Sequence, residues 1–403
     1  MMPNVRKRTL PSKEVRWEVA YVDGGGKRRA KLFKTKGAAS AWMVEAQHDI
    51  SRGLHTASSV SPTVKDAAAL WLRRCEDNCL ERMTVKGYEE HVDLHIVPFI
   101  GAKKLVELTV PAVHAFADQL RDAGRSPEMV RRVIRSLGGI FKEARRRGLS
   151  NLAPTSGLDL KLPDRDDPRP EIPTKAELNA IINGATGRWR PVILVAIFCG
   201  LRASELRGLR WADIDFETKR LNLTQRADAS HKIGKLKSKA AYRSIPCPPM
   251  VLNALREWKL VCPKRTTGAK DAAGEPVKVL DLVFPNGLGK VESHSNLIER
   301  GLEPILIAAG LCETRPVMDK DGKPVLDPAG EPKVTVAGKY GMHSLRHACA
   351  SLWIEQGHNP KKIQTLMGHS SIKVTYDVYG HLFADSEADQ KAAADIEQRL
   401  RGA

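Results

Sequence analysis

Apolar and polar residues alternate near the start of the chain. The apolar positions over residues 13–35 include Val15, Trp17, Val19 and Tyr21. A glycine-rich segment at 23–26 interrupts this alternation, which predicts two strands joined by a turn. A helix is expected from about residue 36 to residue 51, before Gly53. The pattern therefore predicts a small sheet-plus-helix module.

Residues 63–150 show helical periodicity instead. The clearest predicted helix begins at Ser126-Pro127-Glu128, which supplies an N-cap, a proline at the first position and an early acid, and it ends at Gly148. Its apolar stripe consists of Val130, Val133, Ile134, Leu137, Phe141 and Ala144. Arginines and lysines cover much of its remaining surface. Two interpretations stay open: a solvated face, or a face that contacts a polyanion.

The composition changes to Pro, Asp and Gly over residues 151–173, as in an interdomain linker. Thr174 and Glu177 then form a capping box at the start of a new helix. A larger α+β domain is expected from there to the end of the chain. Two Gly/Pro-rich segments within it, 264–277 and 317–339, are expected to form surface hairpins.

The charge balance favours a polyanionic partner. The 403 residues carry a formal net charge of +18 and a pI near 9.6, and neutralising phosphates releases condensed counterions. A basic protein without a nucleic acid partner is the alternative. No apolar run reaches the ~20 residues that a membrane span needs, and the N-terminus lacks an apolar signal region. We expect a soluble, cytoplasmic protein whose seven dispersed cysteines are reduced.

One spacing resembles a zinc-binding motif. Cys75 and Cys79 are followed by His91 and His95, which comes close to a zinc-finger pattern. The alternative places each pair at i, i+4 on a helix of the N-terminal helical domain. The residues between the pairs fit a helix boundary better than a strand and turn, so no metal is predicted.

Three short segments carry candidate chemistry. The first, at 199–206, ends a buried helix at Gly200 and opens another with Arg202 and Glu205 on one face. An arginine there can bind a phosphate through two hydrogen bonds, with the glutamate orienting it. A surface Arg–Glu pair is the alternative.

The other two segments lie nearer the C-terminus. His343 and Arg346 stand at i, i+3 at the start of a helix, where an anion is favoured. His369 follows the helix-ending Gly368, and Tyr379 comes ten residues later. Taken singly, a capping histidine, a solvent-exposed arginine and a core tyrosine would explain them.

Together, these segments resemble the signatures of the tyrosine recombinases of phages and mobile elements, in order and in approximate spacing. That family also has a catalytic lysine on a β-hairpin, and residues 236–246 match this hairpin with Lys237 at the lysine position. The Pro/Gly-rich insertion before His343 is longer than usual in the family. The resemblance implies a multidomain fold: an arm-type DNA-binding module (1–55), an all-α core-type DNA-binding domain (61–160) and a mixed α+β catalytic domain (170–403).

The resemblance also implies site-specific DNA cleavage and rejoining through a 3′-phosphotyrosine, which integrates or excises a mobile element. Tyr379 would be the nucleophile, and Arg202 and Arg346 would hold the phosphate. Lys237 would protonate the leaving oxygen, His343 would assist loss of the phenolic proton, and His369 would hydrogen-bond the phosphate, with Glu205 behind them. Neither a metal nor another cofactor is implied.

The partners implied by the resemblance are double-stranded DNA attachment sites, a homotetramer on DNA, a DNA-bending host factor and an excisionase. A protein associated with the nucleoid is expected. Two alternatives remain: relaxation of DNA, as by a type IB topoisomerase, and a DNA-binding regulator without catalysis. The N-terminal module and the length argue against the first, and the complete catalytic-type set argues against the second.

Overall fold

The computed structural model describes residues 4–23, 26–51, 61–160, 170–270, 274–319, 324–383, 394 and 396–402. The chain divides into two compact units, Met1–Asp167 and Pro168–Ala403. Most of the polar segment 55–62, part of the 151–173 linker and the glycine turn at 24–25 lie outside the described residues. Within the described residues, no helix combines the length and the apolar character that crossing a membrane requires.

The N-terminal module contains one strand more than the sequence predicts. Its antiparallel sheet has the order β1-β2-β3, with β1 Asn4–Thr9, β2 Val15–Val22 and β3 Arg28–Phe33, and helix α1 follows at Lys36–Ser51. The prediction of two strands was therefore wrong by one. In β1, Val5 is the one apolar residue among polar and charged neighbours, so the alternation that reveals a strand is missing.

The rest of the first unit is helical around one apolar core. Its helices are α2 Val64–Asp77, α3 Arg82–His91, α4 Val97–Ile100, α5 Val110–Asp122 and α6 Pro127–Arg146, with a π-helical turn between α3 and α4 at Val92–Ile96. The predicted start of α6 is confirmed, because the Ser126 side chain accepts a hydrogen bond from the Met129 amide. The predicted apolar stripe of α6 is buried, and basic side chains remain exposed along its other face.

The second unit is built around a helix that is buried almost all round. Its first helices are α7 Lys175–Gly184, α8 Trp189–Cys199 and α9 Ala203–Gly208. The predicted Thr174–Glu177 capping box is present at α7. From Pro191 onward, helix α8 is apolar on every side, as expected of a central helix. Because α8 ends at Gly200, the chain turns directly into α9 and places Arg202 beside the core.

Short strands and two hairpins surround this core. One sheet has the order β4-β5-β8, where β4 is Ile214–Asp215, β5 Arg220–Leu223 and β8 Arg243–Pro246, and β6 Arg226–Ala227 pairs with β7 Ile233–Gly234. Helix α10 spans Pro249–Val261. The predicted surface hairpins are present as β9 Arg265–Lys270 with β10 Pro276–Val279, and as β11 Cys312–Pro316 with β12 Val334–Gly338. Between them lie α11 His294–Asn296, a π-helical turn at Leu297–Leu302 and α12 Glu303–Ala308.

The C-terminal helices complete the unit as α13 Met342–Glu355, α14 Pro360–Met367 and α15 Ile372–Tyr379. The predicted helix starting at His343 and the helix ending at Gly368 are both confirmed. The sequence did not predict α15, at whose last residue Tyr379 lies. The helix expected beyond Tyr379 falls partly on residues outside the described ones.

Candidate active site

Glu205 is the centre of a buried hydrogen-bond network. Its carboxylate accepts from Arg202 Nη1 at 2.8 Å and from the Arg202 backbone amide at 2.9 Å. Arg243 donates to both carboxylate oxygens, at 3.1 and 2.9 Å. Burial alone would raise the pKa of Glu205, but Arg243 and Arg202 outweigh it and lower that pKa to about 2. Glu205 is therefore ionised and holds two guanidinium groups in fixed orientations.

Arg346 is also buried, with 2% of its surface exposed. Its two terminal nitrogens donate to the backbone carbonyls of Gly200 and Met367. Burial, together with the nearby Arg202, lowers the pKa of Arg346 to about 10, so the group stays cationic at neutral pH. Because carbonyls satisfy only part of its five N–H groups, Arg346 retains donors for an anion.

Two glycines end the helices whose carbonyl oxygens bind these arginines. Gly200 ends α8 and Gly368 ends α14, with φ angles of +60° and +64°. The carbonyl of Gly368 accepts from Arg202 Nη2 at 2.9 Å. Both helices therefore end in left-handed residues, a conformation that glycine adopts without steric cost, and their ends fix Arg202 and Arg346.

His369 follows Gly368 and is buried. Its Nδ1 lies 3.0 Å from the hydroxyl of the fully buried Thr375 on α15. Burial and the surrounding arginines lower the pKa of His369 to about 3. The imidazole is therefore neutral at physiological pH, and the contact with Thr375 leaves Nε2 for another partner.

Tyr379 is packed within the same cluster and is 1% exposed. Its hydroxyl lies 2.7 Å from His347 Nδ1, and its ring stacks on that of His369 with a centroid separation of 6.2 Å. Burial raises the pKa of Tyr379, although the cation of Arg346 acts in the opposite direction. The phenol is therefore protonated before any reaction.

Two predicted residues remain, His343 and Lys237, and of these His343 contacts the cluster through His347. The His343 side chain is exposed on α13, and its ring meets the edge of His347 at 4.6 Å. Lys237 is exposed and follows the buried Leu236. It lies beyond the end of β7, before the 3₁₀ turn Lys239–Ala241, and not on a strand. Of the hairpin expected over residues 236–246, the structure forms a strand only at Arg243–Pro246.

Three residues of the cluster had no role in the sequence analysis: Arg243, His347 and Thr375. Arg243 stood inside the predicted hairpin, and His347 belonged to the His343–Arg346 segment. Neither spacing nor residue type showed that Arg243 would meet Glu205 or that His347 would meet Tyr379. Those contacts join residues 38 and 32 positions apart in the chain, and only the tertiary fold brings them together.

The four residues of the zinc-like motif lie on several different elements. Cys75 is buried on α2 and Cys79 is exposed after it, while His91 Nδ1 lies 2.8 Å from the Ser136 hydroxyl. His95 is buried in the π-helical turn. Across the part of the chain that the structure describes, no group of three or more His, Cys, Asp or Glu side chains is arranged to hold a metal ion.

The chain thus combines a small N-terminal sheet, a helical region and an α+β unit that contains this Arg–His–Tyr cluster. Residues 173–385 match the model of the phage integrase family, which is more than half of the chain, and the protein belongs to that family. Among curated relatives, the tyrosine recombinase XerC-like protein of Caldanaerobacter subterraneus subsp. tengcongensis is 26% identical over 385 residues, covering 89% of this chain and 90% of the relative. The ICEBs1 integrase of Bacillus subtilis is 24% identical over 310 residues, covering 75% and 74%.

Solved structures show the same fold. The integrase of transposon Tn1549, in complex with a circular intermediate DNA, superposes with a TM-score of 0.61 at 19% identity, covering 84% of this chain and all of the other. A lambda integrase tetramer bound to a Holliday junction gives 0.52 at 16% identity, covering 94% and 95%. The predicted multidomain fold is confirmed.

The predicted family and activity are confirmed as well. The protein is a tyrosine recombinase of the integrase type found in mobile elements, an enzyme that cleaves and rejoins DNA. The roles of individual residues and the limits of the three predicted domains stay predictions.

Proposed function

We propose that Tyr379 attacks the scissile phosphate while Arg202 and Arg346 bind its non-bridging oxygens. The observation that carries this proposal is the cluster in which Arg346, His369 and Tyr379 lie around the carbonyl ends of α8 and α14. Negative charge builds on phosphorus-bound oxygens during the attack. Cations fixed beforehand stabilise that charge without reorganising.

Proton transfers complete the proposed reaction. The Tyr379 oxygen bonds to phosphorus as its proton leaves, assisted by His343, and the bond to the 5′ oxygen breaks. Lys237, whose side chain is exposed, gives that oxygen a proton. The products are a 3′-phosphotyrosine and a free 5′ hydroxyl. Attack by a 5′ hydroxyl on the phosphotyrosine reverses these steps and rejoins DNA.

His369 and Glu205 support the phosphate site in this proposal. If the Thr375 hydroxyl donates to His369 Nδ1, then Nε2 carries the hydrogen and can donate to a phosphate oxygen. Glu205 keeps Arg202 aimed at the phosphate through the bond at 2.8 Å. Neither residue changes charge during the reaction, since His369 is neutral and Glu205 is ionised at physiological pH.

The first unit is proposed to bind the DNA attachment sites. Residues 1–55 would bind arm-type sites, because β1 to β3 expose basic side chains: Arg6, Lys7, Arg8, Lys27, Arg28 and Lys31. Residues 61–160 would bind the core site, where α6 exposes Arg132, Arg135, Lys142, Arg145 and Arg146. Such side chains neutralise phosphates whatever the sequence.

Assembly and partners belong to the same proposal. Exchange between two duplexes requires four cleavages, so a tetramer on DNA is proposed, together with a DNA-bending host factor and an excisionase. The lambda integrase tetramer bound to a Holliday junction supports this assembly by its similar fold. The protein would act on the nucleoid in the cytoplasm.

The nucleophile is tested with a nicked suicide substrate that traps the covalent adduct. Tyr379→Phe is expected to bind DNA as tightly as the unmodified protein and to form no adduct. Tyr376→Phe is the matched control, because Tyr376 is 52% exposed and lies three residues away. It is expected to keep most of the activity. Mapping of the trapped nucleotide onto Tyr376 would contradict the proposal.

A further inference from the structure

The hydroxyl of Tyr379 is held by a histidine that the proposed reaction does not use. His347 Nδ1 lies 2.7 Å from the Tyr379 oxygen, and the two ring centroids are 5.6 Å apart. His347 immediately follows Arg346 on α13, and Tyr379 ends α15. His347 therefore follows a proposed phosphate-binding arginine in the chain and contacts the proposed nucleophile.

The electrostatics decide which atom donates in this contact. Burial, reinforced by His343 and Arg346, lowers the pKa of His347 to about 4. Since the pKa of Tyr379 is raised, both groups are neutral at physiological pH. A phenol is the stronger donor, so the Tyr379 hydroxyl donates to Nδ1 and the imidazole hydrogen resides on Nε2.

The surroundings restrict both rings. The phenol ring stacks on His369 at an interplanar angle of 13°, which fixes its plane. The imidazole of His347 is packed edge-on against His343 at 89°. Because the planes of the Tyr379 and His347 rings are both fixed, the hydrogen bond to Nδ1 determines where the hydroxyl hydrogen points. The lone pairs of the phenol oxygen therefore also have a defined direction.

We propose that His347 is a positioning residue for the nucleophile, which accepts the hydrogen bond of the Tyr379 hydroxyl and fixes the direction in which its oxygen meets the scissile phosphate. This inference rests on the proposed role of Tyr379. It differs in timing from the proposed role of His343. His347 orients the hydroxyl before the attack, whereas His343, whose ring packs against that of His347, assists loss of the proton during the attack. His347 acts through Tyr379 and does not contact DNA.

Substitutions at this position separate hydrogen bonding from packing. His347→Phe keeps a ring but removes Nδ1, whereas His347→Asn places an amide oxygen near the position of Nδ1 and keeps an acceptor. We expect His347→Phe to lower the rate constant of adduct formation at saturating DNA by about 10²-fold, the loss that misplacing a reacting group by ~1 Å can cause. We expect His347→Asn to restore that rate to within about 10-fold of the unmodified protein.

The DNA dissociation constant should stay within about twofold in both variants, because positioning affects the attack and not the binding. His358→Phe is the matched control: this histidine packs against the ring of Trp353 at 5.2 Å, in the same unit, and is not part of the cluster. Its adduct formation should equal that of the unmodified protein.

Nuclear magnetic resonance gives a readout that does not depend on catalysis. In protein labelled with ¹³C at the tyrosine Cζ atoms, the six tyrosines give few resonances, and Tyr379→Phe identifies the one from Tyr379. We expect His347→Phe to shift that resonance and His347→Asn to shift it less. In ¹⁵N-histidine-labelled protein, Tyr379→Phe should in turn shift the Nδ1 resonance of His347, which tests the bond even if His347→Phe does not fold.

The outcomes are distinguishable. Normal adduct formation by His347→Phe, an equal loss in His347→Asn and His347→Phe, or an unchanged Nδ1 resonance in Tyr379→Phe would each overturn the role of His347. If the unmodified protein formed no adduct at Tyr379, the proposed function would fail instead.

Discussion

At the residue scale, the Glu205 carboxylate connects two arginines that come from different parts of the chain. Arg202 lies three residues before Glu205, and this spacing was visible in the sequence as a helical pair. Arg243 lies 38 residues after Glu205 and is 2% exposed in its side chain. Two guanidinium groups this close would repel each other, and the shared carboxylate offsets that repulsion.

Glu205→Gln is expected to destabilise the folded protein by about 3 kcal/mol at pH 7, because it leaves Arg243 as a buried charge without its counterion. The folded-state pKa of Glu205 is about 2, below the ordinary value of 4.5. The stabilisation from the carboxylate is therefore complete above about pH 4.5 and is lost as the pH falls towards 2.

Urea unfolding of both proteins between pH 7 and pH 3 measures this difference. The gap in free energy of unfolding between the unmodified protein and Glu205→Gln should narrow below about pH 4.5. A gap that stays constant down to pH 3 would show that ionisation of Glu205 is not its source. Glu217→Gln, a change on an exposed surface turn, is the control and should leave stability unchanged within about 0.5 kcal/mol.

The sequence predicted those site residues whose partners are near in the chain or whose segments match the family. Helical spacing indicated the Arg202–Glu205 and His343–Arg346 pairs, and the resemblance to the tyrosine recombinases selected Tyr379 and His369. Arg243 and His347 could not be assigned roles in this way. Their side-chain contacts cross from β8 to α9 and from α13 to α15, and a single sequence contains no signal for such long-range packing.

At the element scale, the site depends on how helices end. The carbonyls that bind Arg202 and Arg346 belong to residues 200, 367 and 368, at the ends of α8 and α14. A side chain on Gly368 would place its Cβ 2.8 Å from Arg243 Nη1 and 3.1 Å from the Ala240 carbonyl oxygen. This glycine therefore serves both the left-handed turn and the close packing of the arginines.

Gly368→Ala is expected to reduce adduct formation strongly and to lower stability by more than the ~1 kcal/mol of a left-handed alanine. Gly357→Ala is the matched control. Gly357 also has a positive φ, +75°, after α13, but no heavy atom lies within 4 Å of its added Cβ. Gly357→Ala should lose only the stability that a left-handed alanine costs, and it should retain adduct formation. Equal stability losses in the two variants would show that packing around Gly368 is not important.

Helices were easier to predict than strands in this chain. Capping residues and apolar stripes identified α6, α7 and α14, since these signals are local. Strand β1 was missed because its partner β2 supplies the hydrogen bonds and its own side chains are mainly charged. Helix α15 has eight residues, and its buried residues, Thr375 and Tyr379, gave no stripe that a pattern could show.

At the scale of the whole molecule, the N-terminal 60 residues are the most basic for their length, with 12 Lys and Arg against 5 Asp and Glu. In the N-terminal module, Glu18 is buried and binds Arg6 and Arg8, whose side chains remain 66% and 57% exposed. A buried acid thus orients exposed cations on the sheet surface. Lys31 lies over the ring of Trp42 at 4.7 Å and is fixed in a similar way.

A protein truncated to begin at Ser61 is expected to form the covalent adduct on a substrate containing only the core site, because the proposed catalytic residues and the helical domain remain. Recombination between full-length attachment sites should fall by at least about tenfold, since each lost phosphate contact weakens binding and lowers its salt dependence. Band-shift titrations at several salt concentrations, with and without arm-type sites, measure both quantities.

The matched control for this truncation is the full-length protein with Lys7→Glu and Arg28→Glu, which changes exposed charges on β1 and β3 and keeps the length. If the module acts by contacting phosphates, this variant should lose recombination and salt dependence as the truncated protein does, and both should cleave the core substrate normally. Unchanged recombination in the truncated protein would contradict the arm-binding role. Charge reversal removes phosphate contacts but leaves the protein–protein surfaces of the module largely intact. If the truncated protein is defective and the double variant is not, the module therefore acts through assembly of the complex.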